Sequence, residues 1–514
     1  VNQSVNAKKC VLALIRGCRG GVVFLLLALG GCQSLPIAAD SPWGGKGADP
    51  AKSVIRVNVT RQGHNWHRPW QLQAPATQTA IGAVIAGPNV LVTASLVADQ
   101  RYIELENIQT GVKTSAAVAV VDYEVNLALL QPSDPSVLAG AQPLGITTDP
   151  IKGDALSVWQ VHPNGAVTPA RAVITAIELG PYNIENHFLV FRLDGALQYR
   201  FNNLTLPVVK DGKLAGLLMR SETERQTIDV IAPPVIAHFL EDVADGAYRG
   251  FPVSGIGLSS TEDPQLRRYA GIEAMTGGVF VETVRPQSAA DKAGIRDGDI
   301  LFKVGGYAID SRGHFDHPRY GKLGLAHMLR CMFHAGDRVV HEIWRSGQML
   351  AVDVVLESLP SEAFRVPPFI IDRPPRYLIL GGLVLQELSG PYLRSFGKDW
   401  MIKAPAHLVY LEKKQDGLPA DGSQRIVFLS EVLPTAYTVG YENLSHLVVT
   451  SINDQPLLSL DEIPAALEKP VNGFHKIAFA QRPHVLFIDP AELPLINRQL
   501  QERYNLPVLR NLDR

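Results

Sequence analysis

Glycine and proline punctuate this chain from end to end: 44 Gly and 36 Pro are spread along 514 residues rather than gathered into tracts. Such spacing suits many short strands joined by turns better than a helical bundle. Between about Ser53 and Asp242 the pattern bears this out. Val54 to Val59 alternates loosely, and Ile81–Ile85, Val90–Thr93, Tyr102–Glu106, Ala116–Asp122 and Leu127–Leu130 are further strand candidates. The regularity predicts an all-β double barrel or sandwich. The length is too great for one core and suggests three domains. With 46% hydrophobic and 19% charged residues the composition is that of a globular protein, and a formal net charge of −2 gives no footprint for nucleic acid. No stretch reaches about 18 apolar residues, so no transmembrane helix is expected in the mature chain.

Residues 1–31 read as an address. Lys8, Lys9, Arg16 and Arg19 form a basic start, and Gly21 to Leu29 a short apolar run. Carried to Gly31 as a helix it would span about 16 Å, against about 30 Å of hydrocarbon, so it is a signal peptide rather than an anchor. Leu29-Gly30-Gly31-Cys32 resembles a bacterial lipobox, which makes Cys32 the expected lipidation site, and Gln33 after it resembles an outer-membrane sorting signal. Residues 32–52, rich in Pro, Gly and Ala, read as a flexible tether. The other cysteines are Cys10, Cys18 and Cys331. Cys331 stands alone in the body of the chain, so neither a disulfide framework nor a cysteine metal site is expected, and it is read as a small buried residue on a helix.

Three segments carry a resemblance. Leu91-Val92-Thr93-Ala94-Ser95-Leu96-Val97 is similar to the segment bearing the catalytic His in HtrA/Deg serine proteases, with Leu96 at the His. Asp122 to Leu130, ending Leu127-Ala128-Leu129-Leu130, is similar to the segment bearing the catalytic Asp, with Asn126 in its place. Asn202-Asn203-Leu204-Thr205-Leu206-Pro207, followed by Asp211-Gly212-Lys213-Leu214, is similar to the nucleophile loop, with Leu204 at the Ser. The resemblance implies a trypsin-like double β-barrel over 53–245. It also implies that the triad is lost. A nucleophile needs a hydroxyl next to a base, and Leu204 and Leu96 supply neither. Asn126 can orient a neighbour but carries no charge. Thr205 and Leu206 stand where glycines let backbone N–H groups converge on an oxyanion. His64, His67, His162 and His187 lie outside any Thr-Ala-x-His context. The two leucines suggest a filled cleft, each adding about 1.5–3 kcal/mol if buried.

Residues 250–360 resemble the PDZ domain of the same group. Gly250-Phe251-Pro252-Val253-Ser254-Gly255-Ile256 is similar to the carboxylate-binding loop and the start of the peptide-pairing strand. In Pro286 to Leu301, Ser288 caps a short helix with Asp291 at its third position, Gly294 supplies the left-handed end, and Asp297-Gly298-Asp299 turns into a strand at Ile300. Gly305-Gly306 makes a tight hairpin turn. Leu325, Leu329, Met332 and Phe333 share one face of the helix expected to form the second groove wall. Expected peptide-binding residues are therefore Gly250, Phe251, Gly255, Ile256, Leu258 and Leu329, with His327 read as exposed surface. An insertion, Asp310 to Lys322, resembles one in plant-type Deg proteins. Its His314, Asp316 and His317 are read as surface residues, and no metal or other cofactor is expected.

After the proline-rich break at 367–375, Gly381 to Leu388, Pro391 to Trp400 and Val427 to Leu433 resemble the second, divergent PDZ domain of plant-type Deg proteins, placed over 361–514. Ser459-Leu460-Asp461-Glu462 reads as a capping box. Leu383 and its neighbours are read as an internal or oligomeric contact rather than a groove for free peptide.

The fold expected is thus mainly β: a trypsin-like double barrel followed by two PDZ (α+β) modules. The function expected is that of a pseudoprotease, a peptide- or protein-binding factor in envelope quality control. It would be anchored through Cys32, face the periplasm, and bind C-terminal or unfolded segments through the first PDZ module. The resemblance also implies a homo-oligomer, a trimer. The rivals are an active serine endopeptidase and an envelope scaffold whose PDZ modules serve assembly only.

Overall fold

A computed structural model describes residues 48–514, apart from positions 163, 183–185, 198–204, 223, 416–421 and 514. The leader, Cys32 and most of the tether lie outside the described residues, as does Leu204.

Twelve strands build two barrels. The first six are β1 (Val54–Arg61), β2 (Ala76–Ile85), β3 (Asn89–Val92), β4 (Gln100–Glu106), β5 (Lys113–Asp122) and β6 (Leu127–Pro132), with helix α1 (Ala94–Val97) after β3. They close in the order β1-β2-β3-β6-β5-β4. The next six are β7 (Ala155–Val161), β8 (Val167–Pro181), β9 (His187–Asp194), β10 (Pro207–Lys210), β11 (Lys213–Glu222) and β12 (Thr227–Ile231). They close in the order β10-β11-β12-β9-β8-β7. Closure leaves no exposed strand edge in either barrel.

The apolar runs of β2, β3 and β6 have a clear cause. Val84, Val90, Val92, Ala128 and Leu130 point into the first barrel. Their neighbours Ile81, Ala83, Ile85, Leu91, Leu127 and Leu129 point the other way and join the core of the second barrel. A strand buried on both faces reads as continuous hydrophobe rather than alternation, because side chains alternate between two cores. Helix α2 (Pro233–Ala244), started by proline, closes the second barrel with Val235, Ile236, Phe239 and Leu240 buried.

The middle module follows. Its elements are β13 (Pro252–Val253), β14 (Ile256–Ser259), α3 (Pro264–Tyr269), β15 (Val279–Val284), α4 (Ala289–Ala293), β16 (Ile300–Val304), β17 (Tyr307–Ala308), β18 (His314–His317), β19 (Gly321–Gly324), α5 (Leu325–Cys331), β20 (Arg338–Arg345), β21 (Gln348–Val355) and β22 (Glu357–Ser358). The main sheet runs β14-β15-β16-β20-β21, which leaves β14 at an edge. Ser288 caps α4 through Asp291 N–H, and Gly294 ends it at φ +85°. The core of this module is continuous with that of the second barrel. Phe251 bridges them, its ring 5.2 Å from Phe188 and stacked 4.3 Å from His238.

The C-terminal module contains β23 (Tyr377–Leu380), β24 (Leu383–Glu387), α6 (Gly390–Arg394), α7 (Trp400–Lys403), α8 (Ala406–Lys413), β25 (Val427–Val432), β26 (Leu447–Ile452), β27 (Gln455–Pro456), α9 (Ile463–Leu467), β28 (His475–Phe479), β29 (Val485–Ile488), α10 (Leu493–Tyr504) and β30 (Arg510–Asn511). Its sheet runs β29-β28-β26-β25-β24-β23-β30. It has cores of its own. Leu383, Leu385 and Leu429 pack with Ile463 and Ile477 on one face. Val384 packs with Ile496 and Leu500 of α10 on the other. The capping box does not form as read, because the carboxylate bonds one residue before the cap. Glu462 reaches back to Leu458 N–H at 2.6 Å, but Ser459 makes no side-chain cap.

Candidate functional site

The described residues expected at triad positions, Leu96 and Asn126, meet in space. α1 carries Leu96, and the β5–β6 turn carries Asn126 in a left-handed conformation, φ +56°. Asn126 Oδ1 accepts the backbone N–H of Ser95 at 2.8 Å, so the turn is pinned one residue from Leu96. Leu96 is fully buried in the first barrel's core. A buried isobutyl group offers no lone pair for proton transfer, and an amide that already caps a backbone N–H does not replace a carboxylate.

Of the third segment, Thr205 and Leu206 are described. Thr205 is fully buried at φ +62°, a conformation that favours glycine and is uncommon for a β-branched residue. Its N–H donates to Leu218 O at 3.2 Å and its hydroxyl to Ile81 O. Both donors are used inside the fold. Leu206 is buried as well.

Behind these positions lies a buried ionisable cluster that the sequence did not reveal. Asp122 is held by Tyr248 O–H and by the N–H groups of Glu124 and Val125. Burial raises its carboxyl above the usual range, against these bonds. Burial also pushes Glu124 up to about 7; the Arg330 guanidinium opposes the shift and the nearby Asp122 adds to it. Arg330, from α5, reaches Glu124 at 3.3 Å and Asn186 at 3.1 Å and lies 4.6 Å over the Phe188 ring. One side chain of the middle module therefore contacts both barrels. A cavity of about 320 Å³ opens beside it, lined by Glu124, Arg285, Arg330, Glu412 and Gln415 among others.

The residues expected to bind peptide divide into two groups. Ile256 and Leu258 lie on β14, which pairs with β15 on one side only. Gly255 precedes them at φ +79°; a Cβ there would sit 2.3 Å from Ser288 Cβ, so the loop closes tightly on the cap of α4. Leu329 is buried on α5. An unpaired strand edge is the geometry that takes up an extended peptide, and α5 itself packs on β13, β9 and β19. Gly250 and Phe251 belong elsewhere. Gly250 N–H is taken by Asp242 at 2.8 Å, and Phe251 is buried against the second barrel. Their role is to join domains.

Two expectations about the insertion and its helix are corrected. Residues 314–324 form the hairpin β18–β19, not a surface loop. Tyr320 packs its ring 5.8 Å from Phe191 and donates to Thr148 O, which docks the hairpin on the second barrel. His317 is buried and stacked on Tyr320, because alternation along β18 turns it away from His314 and Asp316. Among the described residues no group of three His, Cys, Asp or Glu stands where it can hold a metal. His327 is buried, 5.6 Å from His317, rather than exposed. Cys331 ends α5 and is partly buried.

In the C-terminal module the strand equivalent to β14 has no free edge. β24 pairs with β25 on one side and with β23 on the other, and Leu383 is buried in the module's own core.

Known proteins resemble this chain along most of its length. The family model described as PDZ domain matches residues 366–512. Protease Do-like 2, chloroplastic, of Arabidopsis thaliana is 26% identical over 430 residues, covering 81% of this chain and 69% of that protein. Putative protease Do-like 3, mitochondrial, of the same plant is 24% identical, covering 81% and 72%. Periplasmic serine endoprotease DegP of Salmonella typhimurium is 24% identical over 237 residues, covering 45% and 49%. Among solved structures, the HtrA-type protease AlgW with decapeptide is similar, with a TM-score of 0.45 at 16% identity, covering 60% of this chain and 95% of that one.

Proposed function

We propose, for a chain that belongs to the HtrA/Deg family of trypsin-like serine proteases with PDZ domains, a function in binding rather than cleavage. The protein is a pseudoprotease that takes C-terminal or unfolded protein segments onto the free edge of β14, with Gly255, Ile256, Leu258 and Leu329 forming the groove. The observation that carries this reading is the state of the cleft: Leu96 is sealed in the first barrel and Asn126 is spent on Ser95 N–H. Fold alone does not decide function, since the same architecture serves active proteases.

The setting is the bacterial envelope, in protein quality control, with Cys32 as a lipid anchor and the folded part facing the periplasm. The periplasmic address of the DegP relative supports this. Among the described residues no helix is long and apolar enough to cross a membrane. A homo-oligomer, a trimer, is the expected assembly.

The test uses the mature chain, because the middle module shares its core with the second barrel. A fluorophosphonate probe is applied alongside a casein-degradation assay, and a C-terminal peptide array is screened. Labelling of a serine within 53–245 would restore the endopeptidase reading. No labelling and no sequence-dependent peptide binding would leave the scaffold.

A further inference from the structure

The loop between β1 and β2, residues 62–75, is far more aromatic than a barrel loop requires: it reads His64-Asn65-Trp66-His67-Arg68-Pro69-Trp70. It is a small built structure. Asn65 N–H donates to Gln71 O and Gln73 N–H to Gly63 O, and Asn65 Oδ1 accepts the N–H groups of His67 and Arg68. This is an Asx turn closing a tight hairpin. Its apolar side chains join neither barrel. Trp66 packs into the cluster of Leu388, Tyr392, Trp400 and Phe428 in the C-terminal module. Trp70 packs with Tyr377, Leu433 and Ile496, its ring 6.2 Å from Tyr377. His67 sits edge-on between Tyr392 at 5.4 Å and Phe396 at 5.1 Å, with Nε2 2.9 Å from Ser395 Oγ. A second strap lies beside it. Asp372 accepts Asp99 N–H at 2.7 Å and Tyr123 O–H at 2.5 Å, each three residues from a triad position.

We propose that this loop is a latch that holds the C-terminal module against the first barrel, beside the degenerate cleft, and that it opens when the histidines gathered around Tyr392 and Phe396 take up protons. Three histidines meet there. His446, left-handed at φ +62°, lies 5.8 Å from Phe396 and 6.4 Å from Tyr392, and its carbonyl faces His407 Nε2 at 2.7 Å. The remaining groups facing the loop are the hydroxyl of Ser395, the phenol of Tyr392, which burial keeps neutral, Glu431, which the Arg68 charge reaches, and, at the base of the loop, His64, which burial lowers and which the Asp99 and Arg101 charges push in opposite directions.

The sign follows from the environment. Burial holds His67 and His446 below the ordinary histidine range, and the charges of His67 and His407 press His446 lower still. Opening returns both rings to water and to their ordinary range near 6.5. The latch is therefore fully stable above that range and loses stability as the pH falls below it. Glu431 works in the opposite sense, because burial raises its carboxyl, and blunts the response without reversing it: two histidines act against one carboxyl.

Hydrogen–deuterium exchange on the mature chain at pH 7.5 and pH 5.5, corrected for intrinsic rates, tests the latch. Protection of 62–73 and 392–396 should fall severalfold at pH 5.5 while β24 and β25 keep theirs. In the His67→Gln, His446→Gln double variant the two pH values should give the same protection at 392–396, with His64 leaving a response only at the base of the loop. Trp70→Ala should open the loop at both. Equal protection of the wild type at the two pH values overturns the proposal. So does a pH response at 392–396 that survives in the double variant, or one shared equally by β24 and β25. Should the double variant misfold, His67→Gln alone takes its place: it should reduce the pH response at 392–396, and an undiminished response overturns the proposal.

Discussion

The middle and C-terminal modules are two versions of one plan, joined to the same double barrel in different ways. In the middle module β14 is an edge strand, and the core runs without a break into the second barrel through Phe251 and Phe188. In the C-terminal module β24 is interior, covered by β23, and the cores are built from its own residues except where Trp66 and Trp70 of the β1–β2 loop pack against them. The first module is fused to the barrels and leaves the edge of β14 unpaired. The second is closed to a partner by its own strand and clipped to the barrels by an aromatic loop. The difference teaches that the same sheet edge can be left unpaired or closed by the module's own backbone, with no change of side chain needed.

The largest expected effect lies at the fused junction. Phe251→Ala removes a fully buried ring from a shared core and should cost about 3–5 kcal/mol. Calorimetry should show the second barrel and the middle module melting together. Two separated transitions in the wild type would break the comparison, because fusion would then be only proximity.

A pair of glycines comes next. Gly255 (φ +79°) and Gly382 (φ +102°) occupy matching places before β14 and before β24, and both conformations disfavour a side chain. Gly255→Ala would press on Ser288 and should weaken peptide binding by at least tenfold. Gly382→Ala would press on Leu433 O and should destabilise its module by about 1–3 kcal/mol while leaving peptide affinity within twofold. Fluorescence anisotropy with a bound peptide reads both. A loss of affinity from Gly382→Ala alone would reassign the groove.

How much of this was legible follows a physical line. Ser288, Gly294 and the Asp297-Gly298-Asp299 turn act through neighbours in sequence, and the structure keeps them as read. The strands of the first barrel were legible because their cores impose a pattern. His327, Phe251 and the β18–β19 hairpin were misplaced because their partners are distant: His317, Phe188 and Phe191 lie in other elements or another domain. Trp66, His67 and Trp70 could have raised suspicion, since three large rings in a polar loop need a surface to cover them. The pairing of Glu124 with Arg330 leaves no local signal at all.

Glu124 gives a smaller, pH-dependent test of how the fused module is held. Its carboxyl is raised to about 7, so between the ordinary glutamate range and pH 7 the folded chain keeps a proton that the unfolded chain has released. Stability should therefore fall as the pH rises through that window. Glu124→Gln should flatten that part of the profile in urea titrations between pH 5 and pH 8, since the amide oxygen still accepts from Arg330. An unchanged slope would place the titration elsewhere in the cluster.

The smallest effect is expected at Asp372, the second strap of the clipped module. Asp372→Asn keeps one acceptor but removes the charge that Tyr123 O–H and Asp99 N–H share, a loss of about 0.5–1 kcal/mol at a partly exposed site. Exchange near 371–373 should quicken while peptide binding stays unchanged. The informative measurement is the combination with Trp70→Ala. The aromatic loop and Asp372 close one interface between the first barrel and the C-terminal module, so once either is lost the other has less to hold. The double variant should therefore cost less than the two single losses added. Strict additivity would mean that the straps act on separate movements, and that the C-terminal module is bound to the barrel in two independent places rather than clipped on as a unit.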